Sequence, residues 1–170
     1  DGNMNIGESI GRTTSITSFY NSDKGKDGKV KGWMKGSIIN PNDTAGWAFL
    51  AEIVITNPSL LEYALGARNG ERYDFKVTNG TNNVISGIDA YRGMPVAKDK
   101  NGKLIYTSAR DVGNIAAGFV AGRKGLSWLT SRIGFDGYQM LSNIHNGCWP
   151  KLEGISTRSA QYWGWQKGQR

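Results

Sequence analysis

Between Val112 and Val120 the apolar residues Val112, Ile115, Ala116, Phe119 and Val120 fall at i, i+3, i+4, i+7 and i+8, the spacing of one face of an α-helix. A chain holding such a face has to bury it, so the segment predicts a helix set into a core. Ser108 or Asp111 can cap its start and Gly122 can close it. Gly118 and Gly122, four apart in the run GFVAGRKG, predict a close-packing face. A phosphate-loop reading of the same run fails. A Walker-type loop sets GxxxxGK[ST] between a strand and a helix, whereas these glycines fall inside and after the helix and Lys124 is followed by Gly125.

The rest of the chain is read around this helix. The run GWAFLAEIVIT (46–56) is nearly all apolar and stops at Asn57-Pro58, because the residue before proline disfavours the helical region. It is a buried helix or strand, with 45–53 reading well as a helix. Ser59 can cap a further turn through Leu60, Leu61, Ala64 and Leu65, ended by Gly66. Tyr73, Phe75 and Val77 alternate with Asp74 and Lys76 and run into Asn79-Gly80 and on to Val84 and Ile85, which predicts a β-hairpin. A second hairpin joins 94–97 to 104–107 across Asp99-Lys100-Asn101-Gly102.

Further on, Ser127 begins a second helix with Leu129, Ile133, Phe135, Met140 and Leu141, weakened at Gly134 and Gly137. Residues 143–154 read as a loop holding His145, Cys148, Trp149 and Pro150. Ser156 can cap a last helix through Ala160, Gln161, Tyr162 and Trp165, ending at Gly168. The expected fold is therefore α+β: a small antiparallel sheet of β-hairpins with three to four helices packed mainly C-terminal to it. Residues 1–45, rich in Gly, Ser, Thr, Asn and Lys, read as a loosely structured lead, and 46–170 as one compact domain. A length of 170 residues suffices for one self-sufficient core and not two.

His145 is the only histidine and Cys148 the only cysteine. That excludes an intramolecular disulfide framework, a cysteine zinc cluster, a two-histidine acid/base pair and an HExxH zinc site. Catalysis would run on carboxylates, amides, hydroxyls, Arg or Lys, with at most one imidazole, and the reading assigns no cofactor and no metal. With 21 Lys and Arg against 14 Asp and Glu, the net charge of +7 favours polyanionic partners: RNA, DNA, an anionic wall polymer or an acidic protein. No apolar run approaches the length of a transmembrane helix.

Chemistry concentrates in Arg110-Asp111-Val112-Gly113-Asn114. Asp111 is either the helix cap or, with Asn114 three residues on, part of a cleft beside the sheet in which Arg110 holds an anionic group. A carboxylate that moves a proton, an amide that holds an oxyanion and an arginine on phosphate suit a hydrolase. His145 sits in a loop, as catalytic groups often do, or is incidental. Asp136 caps or pairs with Arg132, or is a second carboxylate. Glu153, before the last helix, and Gln161, one turn inside it, can reach a shared cleft. Arg92 is a substrate clamp or a turn residue. Tyr162-Trp163-Gly164-Trp165 reads as core and rim in preference to a base-stacking platform, and the five lysines of 24–35 as a solvated loop in preference to a polyanion contact.

The stretches ARDVGNIAAGFVAGRKGLSW (109–128), RIGFDGYQ (132–139) and EGISTRSAQYWGWQKG (153–168), together with Tyr73-Asp74-Phe75-Lys76, resemble C-terminal toxin domains of bacterial polymorphic toxins, in particular the type 44 toxin family. The resemblance covers 73–168. It implies a secreted or injected antibacterial effector of the Rhs or type VI secretion kind, delivered by a larger carrier and paired with an immunity protein, expected to be acidic. Its implied activity is ribonuclease, with hydrolysis of peptidoglycan or its lipid-linked precursor in the periplasm as the alternative. The carry-over falls on Arg110, Asp111, Asn114, Asp136, Glu153 and Gln161; His145 stands outside the matching motifs. Apart from the resemblance, Arg92, Gln161 and Lys76 are the expected substrate contacts, and a non-enzymatic module that binds polyanions through the lysine-rich lead is a third reading.

Overall fold

The computed structural model describes residues 12–13, 40–78, 92–145 and 155–170. The periodic segment is the spine of the fold: helix α4 spans Ala109–Arg123 and buries Val112, Ile115, Ala116 and Val120, as its spacing requires. Ser108 is the cap, its hydroxyl accepting from the Asp111 N–H at 3.2 Å, so Asp111 stands inside the first turn. Along α4 lies helix α6, Ile155–Gly168. The two meet backbone to backbone: a Cβ added to Gly118 would fall 1.9 Å from the Gln161 carbonyl oxygen, and one on Gly122 would fall 2.3 Å from that of Trp165. In return, Gly164 and Gly168 sit over the carbonyls of Ile115 and Phe119, at 1.9 and 2.2 Å from an added Cβ. Both sets advance in the same direction, so α4 and α6 run parallel, with the start of α6 level with the start of α4. The close-packing expectation for Gly118 and Gly122 holds, and Gly164 and Gly168 complete it.

The sheet delivers the chain to α4. Strands β2 (Gly93–Lys98) and β3 (Leu104–Ser108) pair antiparallel, Gly93 opposite Ser108, and the two residues Arg12–Thr13 (β1) pair parallel with β3 to give the order β1-β3-β2. The connecting turn is held by Asp99, whose carboxylate accepts from the N–H groups of Asn101 at 2.8 Å and Lys103 at 3.0 Å, and by Gly102 at φ +79°.

Helices α1 (Ala45–Thr56) and α2 (Leu60–Gly66) cover the other side of the core. The apolar run 46–56 is a helix with only its Gly46, Phe49 and Ile53 face buried; Ile55 is 81% exposed. It ends at Asn57 in the left-handed conformation, φ 46°, directly before Pro58. Ser59 then opens α2 with a reciprocal box: its hydroxyl accepts from the Glu62 N–H at 3.2 Å while the Glu62 carboxylate accepts from the Ser59 N–H at 2.7 Å. Ser59→Ala is expected to lower stability by about 1 kcal/mol in urea titration; an unchanged midpoint would show the box to be idle. Tyr63 of α2 stacks on Tyr73 at 5.1 Å and Phe49 of α1 packs on Phe75 at 4.9 Å, which ties this layer to α4 through one aromatic cluster.

Two expectations are corrected. Phe75–Thr78 is a short helix, α3, and not the first strand of a hairpin. Tyr73, Asp74 and Phe75 are buried in succession, so the alternation in type is not an alternation in burial, and the Asp74 carbonyl accepts from the N–H groups of Val77 and Thr78, both at 2.9 Å. The remainder of that hairpin, 79–91, lies outside the described residues. Helix α5 (Trp128–His145) extends through 143–145, which were expected in a loop; 146–154 lie outside the described residues. The architecture is α+β, with the three longest helices after the antiparallel β2-β3 pair.

Candidate functional site

The Gly93 to Ser108 pairing closes the open end of the hairpin and decides what gathers there. Arg92 immediately precedes β2, and α4 leaves β3 without a connecting residue; the Ala109 N–H donates to the Arg92 carbonyl at 2.9 Å. The Arg92 guanidinium lies 5.7 Å over the Phe75 ring and donates to the Lys76 carbonyl at 3.3 Å. The Lys76 ammonium pairs with the buried Asp74, whose other carboxylate oxygen accepts from the Gly70 N–H at 2.9 Å. The Arg92 and Lys76 segments thus pack against the first turn of α4, where Arg110, Asp111 and Asn114 stand, and of these three cations it is Arg110 whose charge acts on Asp111.

Asp111 is the unusual member. It is 3% exposed, its carboxylate accepts from Asn114 Nδ2 at 3.3 Å, and the same amide nitrogen donates to the Arg110 carbonyl at 3.2 Å. Burial pushes its pKa up to about 6; the Asn114 hydrogen bond, the Arg110 charge and the Ser108 hydroxyl all act in the opposite direction and do not win. A carboxyl that exchanges its proton close to neutrality is suited to acid/base work. Arg110, Asn114, Arg92 and Lys76 are all half-buried, so solvent reaches each of them. Behind them Tyr63 donates its hydroxyl to the Gly113 carbonyl at 2.8 Å, and burial raises its pKa, keeping it a neutral structural donor.

A second cluster forms between α5 and α6. Arg132 donates to Gln161 Oε1 at 2.5 Å and forms an ion pair with Asp136 one turn on, while its guanidinium lies 5.8 Å over the Trp128 ring. Trp128 in turn packs on Tyr162 at 4.9 Å and Trp165 at 5.9 Å. Trp128 against Tyr162 and Trp165, then Arg132 against Gln161, fixes α5 antiparallel to α6 and carries Asp136 toward the end of the bundle where α4 and α6 begin. Gln161 is 1% exposed, so Arg132 supplies a partner that a buried amide requires. The YWGW run is part of this packing, with Trp165 Nε1 donating to the Leu126 carbonyl at 2.8 Å.

Glu153 lies outside the described residues, and His145 is described only as the last residue of α5. Asp74 was missed as part of the site, Arg132 was read only as a partner for Asp136, and Ser108 only as a cap, although its hydroxyl also hydrogen-bonds the Asp111 carboxyl three residues on. Thr107, one residue before that cap, is fully buried and its hydroxyl has no hydrogen-bond partner among the described residues. Among the described residues no group of three or more His, Cys, Asp or Glu could hold a metal ion, and no helix is long and apolar enough to cross a membrane. No family model, no curated protein and no solved structure matches this chain.

Proposed function

We infer that the chain is an antibacterial effector toxin domain that hydrolyses a polyanion, and that its reaction is metal-independent RNA cleavage. The observation that supports this reading is the buried Asp111, with a pKa of about 6, beside Arg110 in a helix turn against which the Arg92 and Lys76 segments pack. In the proposed step ionised Asp111 accepts the 2′-hydroxyl proton as that oxygen attacks the neighbouring phosphorus. The bond to the 5′-oxygen breaks, that oxygen takes the proton back, and a 2′,3′-cyclic phosphate is left. Arg110 and Arg92 offset the charge that builds on the phosphate oxygens, and Asn114 orients the group. The charge of +7 suits both this target and an acidic immunity protein. A larger carrier would inject the domain into the target bacterium.

Incubation of the domain with total RNA tests the reading, with cyclic phosphate termini as the expected product. Cleavage should rise with pH through about 6 as Asp111 ionises and then level off. Intact RNA beside undiminished toxicity would overturn it. A second reading, wall hydrolysis by two carboxylates, is favoured by the antiparallel run of α5 that brings Asp136 toward the end occupied by Asp111. Expression in each compartment separates the two, because killing confined to the periplasm belongs to the wall and killing confined to the cytoplasm to RNA. Full toxicity of every carboxylate variant would leave the polyanion-binding module.

A further inference from the structure

At the opposite end of the α4-α6 pair, the two helix C-termini border an open hollow of about 550 Å³. Three cations line it, Arg123, Lys167 and Arg170, and its lining contains no carboxylate side chain. Two helix C-termini together present about one negative charge, so a single cation would balance them; three leave the hollow distinctly positive. Neither Lys167 nor Arg170 forms an ion pair among the described residues. Gly122 and Gly168 lie packed in the helix crossing below it, and Gly125, exposed and at φ +77°, brings open backbone to its edge. Around it the cations rest on aromatic faces: Lys167 lies 5.6 Å over Trp163 and Arg123 lies 5.8 Å over Phe119. Arg123 also donates to the Val54 carbonyl at 2.7 Å, which holds this wall in place.

The geometry points to a second, non-catalytic anchoring site in this hollow for the phosphate backbone of a single-stranded nucleic acid. It rests on the RNA reading for its link to cleavage but not for binding itself. An open hollow suits a chain that passes through it, and three cations held beside the exposed backbone of Gly125 suit its phosphates. From Asp111 to Arg123 the helix rises 12 residues, or about 18 Å at ~1.5 Å per residue. A trinucleotide is too short to cover that span, and a long oligonucleotide covers it. Oligonucleotides long enough to cover both ends should therefore be held at two places and shorter ones at one.

The test uses the full chain and a labelled, cleavage-resistant 2′-O-methyl RNA of about 20 nucleotides, followed by fluorescence anisotropy against salt. Lys167→Glu with Arg170→Glu is expected to weaken binding at least tenfold and to reduce the slope of log K against log salt by about 1.4, two contacts at ~0.7 each. The same variant should raise KM for long RNA substrates, leave kcat unchanged and have no effect on trinucleotides. Unchanged affinity and slope in a variant with the parental melting curve would overturn the site, as would equally tight binding of poly-glutamate through the same two residues. Anisotropy that behaves as expected with no cleavage of any RNA would keep the anchoring site and overturn the ribonuclease reading alone.

Discussion

Gly118→Ala and Gly164→Ala should each destabilise the domain by about 3 kcal/mol, a large share of the ~5–15 kcal/mol that holds a domain together. In an exposed helix either change would gain about 1 kcal/mol of helix propensity. Here the new methyl would arrive 1.9 Å from a carbonyl oxygen of the facing helix, Gln161 in one case and Ile115 in the other. The obstacle is backbone, so no rotamer change relieves it and the helices have to separate along their length. Gly134→Ala and Gly137→Ala are the counterpart: nothing stands within 4 Å of a Cβ at either position, and each should raise stability by about 1 kcal/mol. Thermal and urea unfolding followed by circular dichroism distinguishes the two pairs. A Gly118→Ala protein that melts like the parent would disprove the crossing.

Asp111→Asn should stabilise the protein and disable it in one change. The folded-state pKa of about 6 lies above the ordinary value of 3.8, so the folded state holds the proton more tightly than the unfolded chain does. The stability contributed by the protonated carboxyl is fully present below about pH 4 and is lost as pH rises through about 6. A displacement of about two units corresponds to about 3 kcal/mol, all of it forgone at neutral pH. The amide carries no charge to bury, so the variant should unfold at higher urea than the parent at neutral pH and show a flat profile between pH 4 and about 6. Removal of the proton acceptor should meanwhile lower RNA cleavage at least about a hundredfold. Higher stability with retained cleavage would leave Asp111 a buried first-turn carboxyl with no part in the reaction; lower stability would mean that its charged form is well satisfied in the fold.

How much of this was legible depended on whether a feature is local. The caps at Ser59 and Ser108, the turn at Asp99 to Gly102 and the face from Val112 to Val120 are each set within one or two turns of chain, and the sequence states them directly. The glycine spacing at Gly118 and Gly122 announced a contact but not its partner, since Gly164 and Gly168 lie more than forty residues further on. Tyr73 to Val77 misled because residue type alternated where burial did not: Phe49 and Tyr63 pack on Tyr73 and Phe75, while the Gly70 N–H and Lys76 enclose Asp74 between them. For the site, Arg110, Asp111 and Asn114 share one helical turn and were readable together. Arg92 and Lys76 joined them only through the hairpin register, and the tie from Arg132 to Gln161 exists only because α5 folds back along α6.

The crossing of α4 and α6 also acts as an alignment device. A slip of one residue turns a helix by about 100°, which would swing that helix's two glycines out of the contact and drive full side chains into the opposing carbonyls. Only one register is therefore open to the pair, and it is either complete or absent. Being parallel, the two helices start at the same end, so this single register sets the height of α6 beside Asp111 from two turns away. Any substitution that shifts the crossing would detune the head of α4 without touching it.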